Sequence, residues 1–291
     1  MQDLRMQDLD GGIARAAGSR PVEYIRRPGG YTTADRFSVG LADGRRVFVK
    51  SAVEPLLVEW LRREYEVYSA LDAAFIPRLE GWDDDGERSI LVLEDLSGAE
   101  WSWSWDTTHI DAVIATVGEV ALAQLPPNTP AIREAHPGLF AQWGEVERDP
   151  RPFLSLGIRD QVWLERNLPT IIAAARSAPV DGDALCHFDV RSDNICFRNG
   201  VCVLVDWNWA LRANALLDMV GWLPSLAGEG GPMPWELLPG ENLGIVALLS
   251  GVWAAVAGLP PPSTAPQVRD VQRKQLAVTL DWLDRQLSKW F

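Results

Sequence analysis

Residues 185–208 read L-C-H-F-D-V-R-S-D-N-I-C-F-R-N-G-V-C-V-L-V-D-W-N, and what this stretch folds into decides the rest of the chain. Two short apolar, β-rich runs, Ile195–Phe197 and Val201–Val205, flank Asn199-Gly200. Asn-Gly in that setting specifies a hairpin, because a type I′ turn needs positive φ at both central residues. With these two in the turn, Arg198 faces Val201 and Asn194 faces Val205. Asp206 then lies diagonally beside Asn194 at the open end of the ribbon, where opposed residues stand roughly 5 Å apart. An amide oxygen and a carboxylate so placed suit one hard cation such as Mg²⁺. Asp189, on the loop that feeds the hairpin, is within reach of the same pocket.

The pattern H-x-D-x-x-x-x-N (His187, Asp189, Asn194), followed by a strand ending in Asp206, resembles the catalytic core of protein-kinase-like phosphotransferases. Asp206-Trp207, rather than Asp-Phe-Gly, is similar to the aminoglycoside phosphotransferase and choline kinase branch. The resemblance implies Asp189 as catalytic base, Asn194 and Asp206 as Mg²⁺ ligands, and ATP as phosphoryl donor. It also implies that Asp218 accepts backbone N–H bonds from the catalytic loop. One departure is visible: many members read His-Gly-Asp, and this chain has Phe188 in the middle.

Upstream, Pro21–Arg27 reads as a strand, followed by a turn with Gly29-Gly30 and Thr32-Thr33, then strands over Asp35–Leu41 and Arg45–Lys50. Strand, glycine-bearing turn, strand is how kinases cover ATP phosphates, and the resemblance puts Gly30 there; no G-x-G-x-x-G is present. Val47-Phe48-Val49-Lys50 has the form of the kinase V-A-I-K strand. Alternation puts Phe48 and Lys50 on one face. The resemblance implies Phe48 against adenine and Lys50 at the phosphates. Val58–Leu71 has apolar residues at helical spacing. Its Glu64 resembles the helix-C glutamate that pairs with the strand lysine, with Glu59 and Glu66 as rivals. Arg88–Leu96 is a further apolar strand, whose end, from Glu94 to Leu96, the resemblance implies as the hinge meeting the adenine edge.

At 291 residues the chain has ample length for a core, with 47% hydrophobic and 23% charged residues. The net charge of −13 argues against nucleic acid as partner and is compatible with a cationic small molecule. Cys186, Cys196 and Cys202 lack C-x-x-C spacing and read as buried thiols of a cytoplasmic protein. No histidine follows His187, which removes a 2-His-1-carboxylate iron site. P-loop and nucleophile-elbow motifs are missing as well. Leu243–Leu259 is apolar, but its glycines make it a buried helix rather than a membrane span.

Residues 1–20 read as a tail or weak helix. Trp101, Trp103 and Trp105 alternate with serines, which on an extended segment sets all three on one side. Helices are expected over Asp106–Leu125, capped by Thr107 or Thr108, and over Val162–Ala178, Asn242–Leu259 and Ala265–Trp290. The loop Ala227–Pro239 carries Glu229 and Glu236, acids suited to an amine.

A β-rich first part with one helix, then a mainly helical remainder, gives a bilobal α+β protein-kinase-like fold. Residues 1–97 are expected as the nucleotide-binding lobe and 98–291 as the catalytic and acceptor-binding lobe. The implied activity is ATP- and Mg²⁺-dependent phosphorylation of a hydroxyl on a small molecule, such as an aminoglycoside or amino sugar. A catalytically idle binding protein of the same fold is the alternative.

Overall fold

The computed structural model describes residues 2–27, 34–262 and 266–288. The turn around Gly30 lies outside the described residues. The chain divides into two compact units: residues 1–103 with 123–128 and 193–210, and residues 104–122 with 129–192 and 211–291.

The first unit is built on an antiparallel sheet of β1 (Pro21–Arg26), β2 (Asp35–Leu41), β3 (Arg46–Ala52), β4 (Leu79–Asp84) and β5 (Ser89–Glu94), in the order β1-β2-β3-β5-β4. Val39, Val47, Val49, Ile90 and Val92 form its buried core. Helix α1 (Gln2–Ala17) covers this core, so of the two readings of residues 1–20, tail or weak helix, the helix is the one that forms. Leu9, Ile13 and Ala17 recur every four residues, so one helical face carries all three into the core. Among the described residues this unit carries two α-helices, α1 and α2 (Pro55–Ala70).

Strand β4 has no counterpart among the expected elements, since L-E-G-W-D-D lacks an apolar run. Gly81 explains part of that composition: a Cβ there would stand 1.9 Å from the carbonyl oxygen of Ala16 on α1. Gly81→Ala is expected to force α1 off the sheet and lower stability by about 1–3 kcal/mol. Urea denaturation checks this; an unchanged midpoint would mean that α1 does not dock there.

The decisive hairpin also belongs to the first unit. β7 (Ile195–Arg198) pairs with β8 (Val201–Leu204) in the expected register, Arg198 opposite Val201. Asn199 and Gly200 both have positive φ, 54° and 79°. The backbone N–H of Val205 donates to the carbonyl of Asn194 at 3.0 Å, continuing the ladder one step beyond the strands. β7 exchanges backbone bonds with Glu100, and Arg198 donates to Glu94 at 2.6 Å, tying the hairpin to the end of β5.

The second unit is mainly helical: α3 (Thr107–Leu122), α4 (Ile132–Ala135), α5 (Gln142–Arg148), α6 (Arg151–Ser155), α7 (Gln161–Arg176), α8 (Leu216–Gly228), α9 (Pro234–Leu237), α10 (Leu243–Val256) and α11 (Val268–Leu287). A small sheet pairs β6 (Ala184–Cys186) with β9 (Leu211–Ala213). α10 is buried along most of its length, as expected, with α5, α7 and α11 packed against it. Among the described residues no helix is long and apolar enough to cross a membrane. Asp106, rather than a threonine, accepts the N–H of His109 at the start of α3.

The three tryptophans have different partners. The indole N–H of Trp101 donates to the Leu96 carbonyl, and Trp103 packs edge-on against Phe197 in the first unit. Trp105 meets Trp222 and Glu229 in the second. The segment carries no regular secondary structure.

Candidate functional site

Glu64 sits on the buried face of α2, with Leu57, Leu61 and Tyr68 at helical spacing around it. A carboxylate in that stripe demands a partner, and Lys50 of β3 supplies one. The Lys50 Nζ donates to Glu64 Oε1 at 2.6 Å and Oε2 at 2.8 Å. It also donates to Asp206 Oδ1 at 2.5 Å. Lys50 and Glu64 side chains are each 5% exposed, that of Asp206 31%. Of the rival acids, Glu59 pairs with Arg63 on the surface.

Two carboxylates thus share one ammonium. Burial opposes the charge on Lys50, but Asp206 and Glu64 outweigh it and lift the ammonium above its ordinary value. Burial pushes Glu64 up to about 7, Lys50 pulling it down and the neighbouring Asp206 pushing it further up. The pair fixes the position of Lys50 more than it stabilises the fold, since desolvating both charges offsets most of their attraction.

Asp206 follows β8 with φ 65° and ψ 60°, a left-handed conformation in a non-glycine residue. The segment behind it is held firmly: Trp207 is fully buried against Phe75, and Trp209 packs on Trp60 of α2. Asn194 is 5% exposed and ends a short 3-10 turn leading into β7. Together the two offer an amide oxygen and a carboxylate, donors that suit Mg²⁺. Among the described residues no three His, Cys, Asp or Glu side chains form a metal cluster.

At the end of β5, Glu94 accepts from Arg198, and the Leu96 carbonyl accepts from Trp101 Nε1 at 2.8 Å and Ala99 N at 3.0 Å. Phe48 stands opposite Leu93 and Ser38 in the sheet, two residues before Lys50.

In the second unit, His187-Phe188-Asp189 leaves β6 as a loop clamped by Asp218 of α8. The N–H of His187 donates to Asp218 Oδ2, and that of Phe188 to Oδ1, each at 2.7 Å. Phe188 has φ 64°, and its ring stacks on His136 at 5.1 Å between centroids. The Asp189 side chain is one-third exposed, with Arg191 Nε at 3.9 Å. Glu229 accepts from Ser192 at 2.6 Å and from Trp105, while Glu236 accepts from the backbone of Met233. These acids brace the unit.

Burial pushes the Asp218 carboxyl up to about 6, against the pull of its two N–H donors. Asp218→Ala leaves two buried donors unsatisfied and is expected to cost about 2–6 kcal/mol. A raised folded-state value means that the contribution of the proton is complete below the unfolded value and lost as pH rises through about 6. The stability gap between the two proteins should therefore narrow from pH 5 to pH 7.5. Denaturation at both values checks it; equal midpoints, or a widening gap, would contradict this account.

Arg36 was not singled out by the sequence, yet it stands directly opposite Lys50 across β2 and β3. The turn at Ala42-Asp43-Gly44 carried the signal, because it fixes that register.

Solved structures share this architecture at low identity. A spectinomycin phosphotransferase, in complex with ADP and spectinomycin, matches with a TM-score of 0.61 at 11% identity, over 96% of this chain and 98% of that one. A choline/ethanolamine kinase family protein from Mesorhizobium loti gives 0.58 at 14%, over 99% and 98%. The amicoumacin kinase hAmiN, in complex with AMP-PNP, Ca²⁺ and Ami, gives 0.57 at 11%, over 96% of both chains. The fold, a five-stranded antiparallel unit and a mainly helical unit, is protein-kinase-like. Residues 24–259 match the phosphotransferase enzyme family, APH, and the chain belongs to that family. No curated protein matches.

Proposed function

We propose that the protein transfers a phosphoryl group from ATP, with Mg²⁺, to a hydroxyl of a small molecule. The observation that carries this reading is the buried Lys50 ammonium, held by Glu64 and bonded to Asp206 at the end of the hairpin. Residues 1–97 serve the nucleotide, with Lys50 on its phosphates, Phe48 against the base, Gly30 in the covering turn, and the Glu94–Leu96 hinge at the adenine edge. Residues 98–291 supply the catalytic loop and the acceptor site. Mg²⁺, held by Asn194 and Asp206, supplies charge neutralisation at the phosphates. Asp189 orients the acceptor hydroxyl and takes its proton, while Asp218 keeps the backbone of that loop in place. Positioning and charge supply most of the acceleration in such reactions.

The similar structures with spectinomycin and amicoumacin kinase favour an antibiotic-like acceptor bearing hydroxyl and amine groups, and the charge of −13 suits a cation. The test is a panel of hydroxylated amines, aminoglycosides and sugars, scored for ADP release with ATP and Mg²⁺. Release dependent on one acceptor class is expected. Tight ATP binding with no turnover on any acceptor would instead support an idle nucleotide-binding protein.

A further inference from the structure

The loop that carries Asp189 is held at two separate points, both on α8. At its start, Asp218 in the first turn of α8 accepts the N–H groups of His187 and Phe188. At its far end, Ser192 opens a 3-10 turn, and its hydroxyl donates to Glu229 Oε1 at 2.6 Å. Glu229 is the residue that closes α8. The two acids therefore sit at opposite ends of one helix, about 16 Å apart along its axis. Asp189 lies between the points they hold.

Helix stability does not account for Glu229, because a negative charge at a helix C-terminus opposes the helix dipole. Its carboxylate is nonetheless fixed at both oxygens. Oε2 accepts the indole N–H of Trp105 at 2.8 Å, and the Trp105 ring packs edge-on against Trp222, a fully buried residue of α8. Its backbone is fixed as well. The Glu229 N–H donates to the carbonyls of Ser225 and Leu226, and the Ser225 hydroxyl accepts from Gln275 of α11 at 2.7 Å. We infer that Glu229 is a positioning residue for phosphoryl transfer, acting through Ser192 to hold the far end of the loop that bears Asp189. The inference rests on the reading of Asp189 as the proton acceptor and adds the second anchor of its loop. With Asp218 alone the loop would pivot about His187 and Phe188, and a misplacement on the order of 1 Å costs about 10²-fold in rate.

Two measurements on the full chain test this. Without nucleotide, amide hydrogen exchange across residues 187–192 should be about 3–10-fold faster in Glu229→Ala and in Ser192→Ala, the scale of one hydrogen bond. ADP release is then followed with ATP, Mg²⁺ and the aminoglycoside, hydroxylated amine or sugar that wild type uses fastest. Each variant should lower kcat at least ~10-fold while the KM for ATP stays within about twofold. Both variants break the same bond, so combining them should cost no more than Glu229→Ala alone. Ser192→Thr keeps the hydroxyl and should restore most of kcat. Glu229→Gln keeps an oxygen acceptor and should fall between wild type and Glu229→Ala; it carries the comparison if Glu229→Ala fails to fold. Unchanged kcat in these variants, whether or not exchange quickens, overturns the role of Glu229 and leaves the proposed function standing. Additive losses, or equal changes in kcat and in the KM for ATP, would mark general loosening and also overturn it. Wild type that releases no ADP with any acceptor overturns the role together with the reading beneath it.

Discussion

Asp189→Asn is expected to lower kcat at least ~10²-fold, the lower range for removing a general base. Asparagine keeps the size of the side chain and can still hydrogen-bond a hydroxyl, but it cannot take the proton. Because the loop is fixed by Asp218 through the backbone of His187 and Phe188, the substitution leaves its conformation alone. ATP affinity should stay near that of wild type, since Lys50, Glu64 and Asp206 are untouched. Steady-state ADP release, with circular dichroism as a control of folding, makes the comparison. Near-normal turnover would remove Asp189 from the chemistry.

Asp206→Asn should do something different. It removes a carboxylate that both bonds to Lys50 and, in the proposed reading, holds the cation. Turnover should fall on the order of 10²–10³-fold, as when a group that stabilises transition-state charge is lost. The Mg²⁺ concentration giving half-maximal rate should rise at least about tenfold. Asp189→Asn should leave that concentration in place, so the two variants separate the proton step from the metal. An unchanged Mg²⁺ titration curve in Asp206→Asn would sink its assignment as a ligand.

Much of this architecture is legible in the chain, for identifiable reasons. The 195–204 hairpin is written locally, by Asn199-Gly200 and two apolar runs, and its register followed. The strands bearing Phe48 and Glu94 are apolar enough to stand out, and α2 has a clear helical period. Helix α1 is harder to read, because Gly11, Gly12 and five acids or amides dilute its stripe of Leu9, Ile13 and Ala17. Strand β4 was invisible for a tertiary reason: Gly81 is there to admit the backbone of α1. In sequence Glu229 and Glu236 read as available for a ligand, while in the fold Glu229 accepts from Ser192 and Glu236 from the backbone of Met233, bonds no local pattern encodes. The resemblance implies Asp218 as the acceptor for the catalytic loop, and its two bonds to the loop are present. The pairing of Lys50 with Asp206 joins residues far apart in the chain, which no local pattern encodes.

Phe188 adopts a backbone conformation that glycine enters freely and a bulky side chain resists by about 1–2 kcal/mol. A glycine would carry the instruction for that bend in itself. Here the instruction comes from a distant acid whose two oxygens seize successive amides, with His136 as a rest for the displaced ring. A large residue in the middle of His-x-Asp is thus no sign of a broken motif, provided an acid downstream is there to impose the bend.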